Sequence, residues 1–229
     1  MATAARLARV PPFERGITIG DFLVPVSLGE RISTRARDAI LVLGGTALII
    51  AGARISFYLP FDPLVPVTAQ TFGVLLSGAA LGMRRGAVAA ALYLALGVIG
   101  LPVFAWDNDA AAYASGVGTI ATIGPNGLAL GLTGGYLVGF LLASALVGRL
   151  AELGWDRKVG GAVAALLVGN IVIYLVGLPW LAAAAGLDAA DTARYGLLPF
   201  IPGDAVKLLA AAGLLPTAWW IVRRNPQER

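Results

Sequence analysis

The sequence has 229 residues and contains neither cysteine nor histidine. Without these side chains it can form no disulfide, offers no thiol nucleophile and lacks the ligands that hold most transition-metal ions. The G-x-x-x-x-G-K-[ST] loop that cradles the phosphates of ATP is also missing. We therefore expect no ATP hydrolysis by this chain itself, and no cofactor or metal site.

Charged residues are scarce as well. They make up 13% of the chain, against roughly 25% in soluble domains, while hydrophobic residues make up 58%. The mean hydropathy is +0.81. These values predict a multi-pass integral membrane protein. The net charge of +4 is then explained by basic residues at the ends of membrane helices, and not by a nucleic-acid partner.

The hydrophobic runs predict an all-α protein with six membrane-spanning helices. The predicted spans lie near residues 39–57, 68–81, 87–99, 134–150, 159–178 and 202–222. The second and third spans are short for a bilayer, which takes about 20 apolar residues. A tight turn is expected at 82–86, and longer connections at 100–133 and 180–200, the latter with a short helix. Gly131, Gly135 and Gly139 have the spacing at which small residues let helices pack closely.

The predicted chain has three parts. Residues 1–38 are expected to form a basic cytoplasmic extension, either lying on the anionic lipid surface or solvated and disordered. Residues 39–224 form the six-helix membrane domain, and 225–229 a cytoplasmic tail.

The distribution of basic residues predicts the orientation in the membrane. With both termini in the cytoplasm, fourteen Lys and Arg residues fall on the cytoplasmic side, whereas the opposite loops hold only Arg54 and Arg194. This asymmetry follows the positive-inside rule. The six-helix topology with cytoplasmic termini is therefore predicted.

Asp204 and Lys207 are the candidate functional pair, because each puts a charge inside the last apolar run. A charge at the centre of a membrane helix costs roughly 2.5–3.5 kcal/mol, so such residues usually have a role. Pro202 suits a helix start, which places the two charges three residues apart on one helix face. They could neutralise each other, or they could bind a ligand together.

Other polar side chains are expected near the same outer face. The topology places Thr68, Gln70 and Thr71 at the start of the second span, and Tyr174 towards the end of the fifth, which also carries Asn170. Such a convergence of polar groups within apolar walls is typical of a small-molecule site. Gln70 could instead cap its helix, and Asn170 or Tyr174 could make interhelical hydrogen bonds. An intramembrane enzyme is disfavoured, because Asp204 is the only acid well inside a span.

Several motifs together resemble the BioY family of biotin-specific S components of energy-coupling-factor (ECF) transporters. The motifs are PVTAQT at 66–71, GVIGLPVFA at 97–105, TGGYLVGF at 133–140, GNIVIY at 169–174, and LPFIPGD at 198–204 with Lys207. They occur in the family's order over about residues 40–215. A closely related alternative is the same fold binding another vitamin, which the D-x-x-K pattern disfavours.

The resemblance implies a six-helix fold with an outward-facing biotin pocket. It also implies a transmembrane T component and partner ATPases, the T component docking against Ala47 and Ala51. Within the pocket, Asp204 is expected to accept a ureido N–H and Lys207 to donate to a ligand oxygen. Asn170, Gln70 and Tyr174 are further candidates. The connection at 106–126 departs from the family in its length and in carrying Asp107 and Asp109, so the residue that meets the biotin tail stays open.

Overall fold

The computed structural model describes residues 16–23, 33–58, 65–124 and 127–224. Within them the chain forms eight α-helices, three short hairpins and two 3₁₀ turns. The helices are α1 (Gly20–Leu23), α2 (Thr34–Arg54), α3 (Gln70–Leu81), α4 (Met83–Val98), α5 (Gly134–Glu152), α6 (Val159–Ala185), α7 (Ala189–Gly196) and α8 (Ile201–Arg224). The 3₁₀ turns are Val117–Thr119 and Trp155–Arg157.

Four of these helices, α2, α5, α6 and α8, are long and apolar enough to cross a membrane. The predicted short spans correspond to α3, with 12 residues, and α4, with 16. At 1.5 Å per residue these are about 18 and 24 Å long, less than the roughly 30 Å hydrocarbon core. The chain is thus a largely helical membrane protein, and the count of six spans stays a prediction.

Three helix boundaries differ from the prediction. Helix α2 begins at Thr34, before residue 39, because Ser33 Oγ accepts a hydrogen bond from the amide of Ala36 at 3.2 Å and caps it. The predicted turn at 82–86 is wrong, since Gly82 alone, with φ of +85°, separates α3 from α4.

Helix α6 also runs past its predicted end at 178. It continues through Pro179 to Ala185 and ends at Gly186, whose φ of +66° is the left-handed conformation that favours glycine at a helix end. The alanines at 182–185 are the strongest helix formers and extend the helix by two turns beyond the proline.

The connection at 100–133 is structured. Hairpin β3–β4 (Trp106–Asp107 with Ala112–Tyr113) and hairpin β5–β6 (Ala121–Gly124 with Gly127–Leu130) lie on either side of the first 3₁₀ turn. A third hairpin, β1–β2, pairs Ser56–Phe57 with Val67–Thr68. These connections supply much of the cavity wall described below.

Helix α5 lies at the centre of the bundle, in contact with α3, α4 and α6. A Cβ at Gly135 would lie 2.2 Å from Trp180 Cβ, and one at Gly139 would lie 3.1 Å from the backbone of Ile173, so both positions need glycine for α6 to approach. The predicted helix contact is confirmed for these two. Gly131 precedes the helix and instead packs against the carbonyl of Thr119.

The described part of the N-terminal arm is packed, in contrast to a solvated extension. Asp21 of α1 forms an ion pair with Arg85 at 2.7 Å, and Arg85 also contacts Asp38 at 2.8 Å. Ile19 is buried and Phe22 packs edge-on against Trp219. Residues 16–23 therefore belong to the core at the end of the bundle opposite the hairpins.

Candidate ligand-binding site

A cavity of about 720 Å³ opens among the hairpins at one end of the helical bundle. Small-molecule sites in proteins typically enclose about 300–1,000 Å³. Its walls come from α3, α5, α6 and α8 and from the connections at 56–68 and 104–133. Four predicted site residues line it: Gln70, Tyr174, Asp204 and Lys207.

Asp204 and Lys207 face the cavity as an ion pair at the start of α8. Lys207 Nζ lies 3.0 Å from Asp204 Oδ1, and Asp204 is 5% exposed. The ammonium also donates to Thr71 Oγ1 at 3.1 Å. The charges therefore neutralise each other and also line the cavity, and ligand binding by the pair stays a prediction.

Tyr174 completes this polar cluster from the opposite helix. Its hydroxyl donates a hydrogen bond to Asp204 Oδ2, so both carboxylate oxygens have partners. The ring of Tyr136 packs edge-on against Tyr174, with centroids 6.4 Å apart, and its hydroxyl donates to the carbonyl of Gly196 at 2.8 Å. These contacts fix the orientation of the carboxylate and attach α7 to the cavity wall.

Gln70 lines the cavity, but its side-chain amide is engaged by the protein. Its Nε2 donates to the hydroxyl of Tyr93, and its Oε1 accepts from Thr68 Oγ1 at 3.1 Å. Gln70 does not cap the helix, because Ala69 is the N-cap residue and the helix has no side-chain cap. The amide of Gln70 donates a hydrogen bond to Thr68 Oγ1 at 3.2 Å. Gln70 therefore presents an oriented polar surface to the cavity and holds the Tyr93 hydroxyl in place through a hydrogen bond.

Asn170 is not among the residues that line this cavity. It lies on α6 one turn before Tyr174, is 5% exposed, and faces a small separate void together with Thr71 and Lys207. Its Oδ1 has no hydrogen-bond partner within the described residues. The structure thus places Asn170 beneath the polar cluster instead of beside the ligand space.

Thr71, which the topology placed near the outer face, bridges Lys207 and Asp204. Other lining residues were missed by the sequence argument. Tyr136 forms part of the TGGYLVGF motif, which could have pointed to it. The remaining apolar wall includes Phe104, Leu137, Phe140, Ile173 and Phe200.

The mouth of the cavity is aromatic and acidic. Trp106 and Tyr113 pack edge-on across hairpin β3–β4 at 5.2 Å, and the Arg54 guanidinium lies 3.8 Å from the Tyr113 ring centroid. Burial, reinforced by the nearby negative charges of Asp107 and Asp109, raises the pKa of Tyr58 above its usual value. Both acids line the cavity, so this part of the wall carries two acidic side chains.

The predicted docking residues lie on another surface. Ala47 and Ala51 are exposed, one turn apart on α2, beside the exposed Leu43. Their small side chains leave this face of the helix open to close approach by another helix.

Comparison with known proteins identifies the family. A model of the BioY family matches residues 27–224. The chain is 37% identical over 186 residues to the biotin transporter BioY of Rhizobium etli, covering 77% of this chain and 89% of that protein. It is also 37% identical over 167 residues to the biotin transporter BioY of Thermotoga maritima, covering 73% and 86%. A crystal structure of the S component for biotin from an ECF-type ABC transporter superposes with a TM-score of 0.66 and 26% identity, over 83% of this chain and 93% of that one. The chain belongs to the BioY family.

Proposed function

We propose that this chain binds biotin in the 720 Å³ cavity and takes it up as the substrate-specific S component of an ECF-type transporter. One observation carries the proposal. In a chain with biotin transporters as relatives, the Asp204–Lys207 ion pair, with a buried carboxylate and spare hydrogen-bonding capacity, faces a cavity of ligand size.

The hydrogen-bonding capacity of the pair suits the ureido ring of biotin. A carboxylate has about four acceptor positions, and Asp204 uses three of them for Lys207, Tyr174 and Thr71. An ammonium has three donors, and among the described residues Lys207 uses two of them, for Asp204 and Thr71. Among the described residues, one acceptor position on Asp204 Oδ2 and one ammonium donor of Lys207 thus remain for a ligand, and a cyclic urea offers an N–H and a C=O to match them.

The apolar wall of the cavity suits the sulfur ring of biotin. The fused sulfur ring of biotin is apolar, and Phe104, Phe140 and Ile173 offer an apolar wall close to the polar cluster. Tyr174 serves as a positioning residue for the carboxylate of Asp204. Gln70 contributes a fixed polar surface, while Asn170 supports the cluster from below.

Uptake requires partner subunits. The chain is a binding and transport subunit without enzymatic activity, and ATPase subunits supply the energy through a transmembrane T component. The exposed Ala47 and Ala51 form the face of α2 on which the T component docks. In the membrane, α3 and α4 complete a six-helix topology with both termini in the cytoplasm, which the short helices achieve by close packing in a locally thinned bilayer.

Uptake of radiolabelled biotin tests this proposal. A biotin-requiring bacterial host without its own biotin transporter would express the chain with T and ATPase subunits, and an empty vector would be the control. Accumulation above the control supports the proposal. Equal accumulation, with the protein present and folded in the membrane and the ECF module active with another S component, would overturn it.

A further inference from the structure

Hairpin β5–β6 exposes two large apolar side chains on one face. Ile123 and Leu128 are paired directly across the ladder, so they project to the same side. They are 86% and 69% exposed, while Thr122 and Ala129 occupy the opposite face. Such a pair in water would be an unfavourable apolar surface on an open strand edge.

The sequence around this hairpin carries no charge. No Asp, Glu, Lys or Arg occurs between Asp109 and Arg149. Strand edges that face water are commonly protected by charged side chains. The neighbouring hairpin β3–β4, by contrast, carries Asp107 and Asp109. Of the two hairpins at this end of the bundle, β3–β4 therefore suits water and β5–β6 suits an apolar environment.

The hairpin also adjoins a helix surface that faces lipid. Strand β6 contacts α6, and Trp180 Nε1 of α6 donates a 2.9 Å hydrogen bond to the carbonyl of Gly131, directly after β6. Tryptophan is enriched at the level of the lipid headgroups. Helix α6 is a candidate span with Leu175 68% exposed and Ile171 48% exposed. The hairpin thus lies beside a candidate membrane span, at the depth that Trp180 marks.

We propose that hairpin β5–β6 is a membrane-surface anchor, with Ile123 and Leu128 inserted among the lipids at the boundary between headgroups and acyl chains on the cavity side of the bundle. The ribbon stays at this boundary, because its unpaired edge N–H and C=O groups would be unsatisfied in the hydrocarbon core. Thr122 on the opposite face points to the aqueous side.

The hairpin is continuous with one wall of the cavity. Gly131, Leu132 and Thr133 follow β6 without a break and line the cavity. Lipid contact at the hairpin therefore holds this part of the wall against α6, while the acidic hairpin β3–β4 remains on the aqueous side of the mouth.

Site-directed spin labelling tests the anchor, and the absence of cysteine from the chain means that each variant carries one label. The variants are Ile123→Cys and Leu128→Cys on the proposed lipid face, Thr122→Cys on the opposite face, Leu175→Cys as a lipid reference and Ala110→Cys on β3–β4 as an aqueous reference. Collision rates of each nitroxide with oxygen, which partitions into lipid, and with a water-soluble nickel complex would be measured in proteoliposomes without ligand.

The proposal predicts that labels at 123 and 128 collide several-fold more with oxygen than with the nickel complex, as at 175. Labels at 122 and 110 should show the reverse. If 123 and 128 are as accessible to nickel as 110, or if 122 and 123 are equally lipid-exposed, the proposal is wrong. The measurement does not depend on biotin, so it tests the anchor independently of the proposed function.

Discussion

The ammonium of Lys207 lies 3.0 Å from the carboxylate of Asp204, one helical turn away on α8. The pair is inside an apolar helix, Asp204 is 5% exposed, and the cavity lies directly against it. Burying two charges costs free energy even when they are paired. Because the pair lies at the cavity wall, we infer that it is present, in spite of this cost, to bind the ligand.

Removing either charge should weaken biotin binding strongly. Asp204→Asn and Lys207→Met each remove a charge-assisted hydrogen bond to the ligand, worth about 1.5–3 kcal/mol, which corresponds to roughly a 10- to 150-fold higher Kd. Calorimetric titration of the purified variants measures the change. Asp191→Asn, on α7 outside the cavity lining, is the matched control and should bind like the parent.

The double variant separates pairing from ligand binding. Each single substitution leaves the other charge buried without its main partner, which typically costs about 3–5 kcal/mol of stability. Asp204→Asn with Lys207→Met should therefore recover much of the lost thermal stability and still fail to bind biotin. Recovery of both stability and binding would show that the pair serves only as mutual neutralisation.

Tyr174→Phe tests the positioning of the carboxylate. The variant keeps the ring that packs against Tyr136 and removes the hydroxyl that donates to Asp204 Oδ2. Affinity for biotin should fall by about a few-fold to tenfold, less than for the loss of a direct ligand contact, because the hydroxyl acts on the ligand only through Asp204. Tyr195→Phe on α7, outside the cavity lining, provides the control. An unchanged Kd for Tyr174→Phe would contradict the positioning role.

Ala47→Leu and Ala51→Leu test the docking face of α2. Larger side chains there should prevent close approach of a T-component helix. We expect loss of co-purification with the T component and of uptake, with biotin binding by the isolated chain unchanged. Ala210→Leu, at an exposed alanine of α8, controls for bulk on a membrane-facing surface. Normal uptake by both α2 variants would place the docking face elsewhere.

Asp156, at the end of the bundle opposite the cavity, is expected to make the stability of the protein depend on pH. Its side chain is 1% exposed in the 3₁₀ turn between α5 and α6, and Trp219 Nε1 donates to its Oδ2 at 2.6 Å. Burial is the main cause that raises the pKa of Asp156 from 3.8 to about 6. The folded protein therefore binds the proton more tightly than the unfolded chain.

The sign of the effect follows from linkage. Stability from this group is greatest below pH 4, declines as the pH rises through 6, and is constant above, a total of about 3 kcal/mol. Asp156→Asn should flatten this dependence and stabilise the protein at pH 7. Thermal unfolding between pH 4 and 8 measures it, with Asp191→Asn as control. An unaltered pH profile in Asp156→Asn would show that the carboxyl is not the responsible group.

The sequence predicted the charged part of the site and not its full lining. Asp204 and Lys207 are conspicuous because charges are rare and costly in apolar helices. Tyr136 is not, since tyrosine is compatible with many helix contacts. Asn170 was expected beside the ligand, but one turn of α6 separates it from Tyr174, and that depth depends on how α6 packs against α3 and α8.

The sequence likewise predicted where the helices lie better than the residues at which they begin and end. Apolar runs located all the long helices, because burial in lipid or protein dominates over local propensity. Their boundaries depend on single residues such as Ser33, which caps α2, and Gly186, which ends α6. The hairpins at 100–133 depend on contacts with distant helices, which no local pattern contains.

Isothermal titration of biotin into the detergent-purified chain, with desthiobiotin alongside, tests the central claim most directly. The account predicts saturable binding of one biotin per chain, and its loss or strong weakening in Asp204→Asn. If the folded parent protein releases no heat with biotin and does not bind it by an independent radioligand assay, the assignment of the cavity to biotin is contradicted.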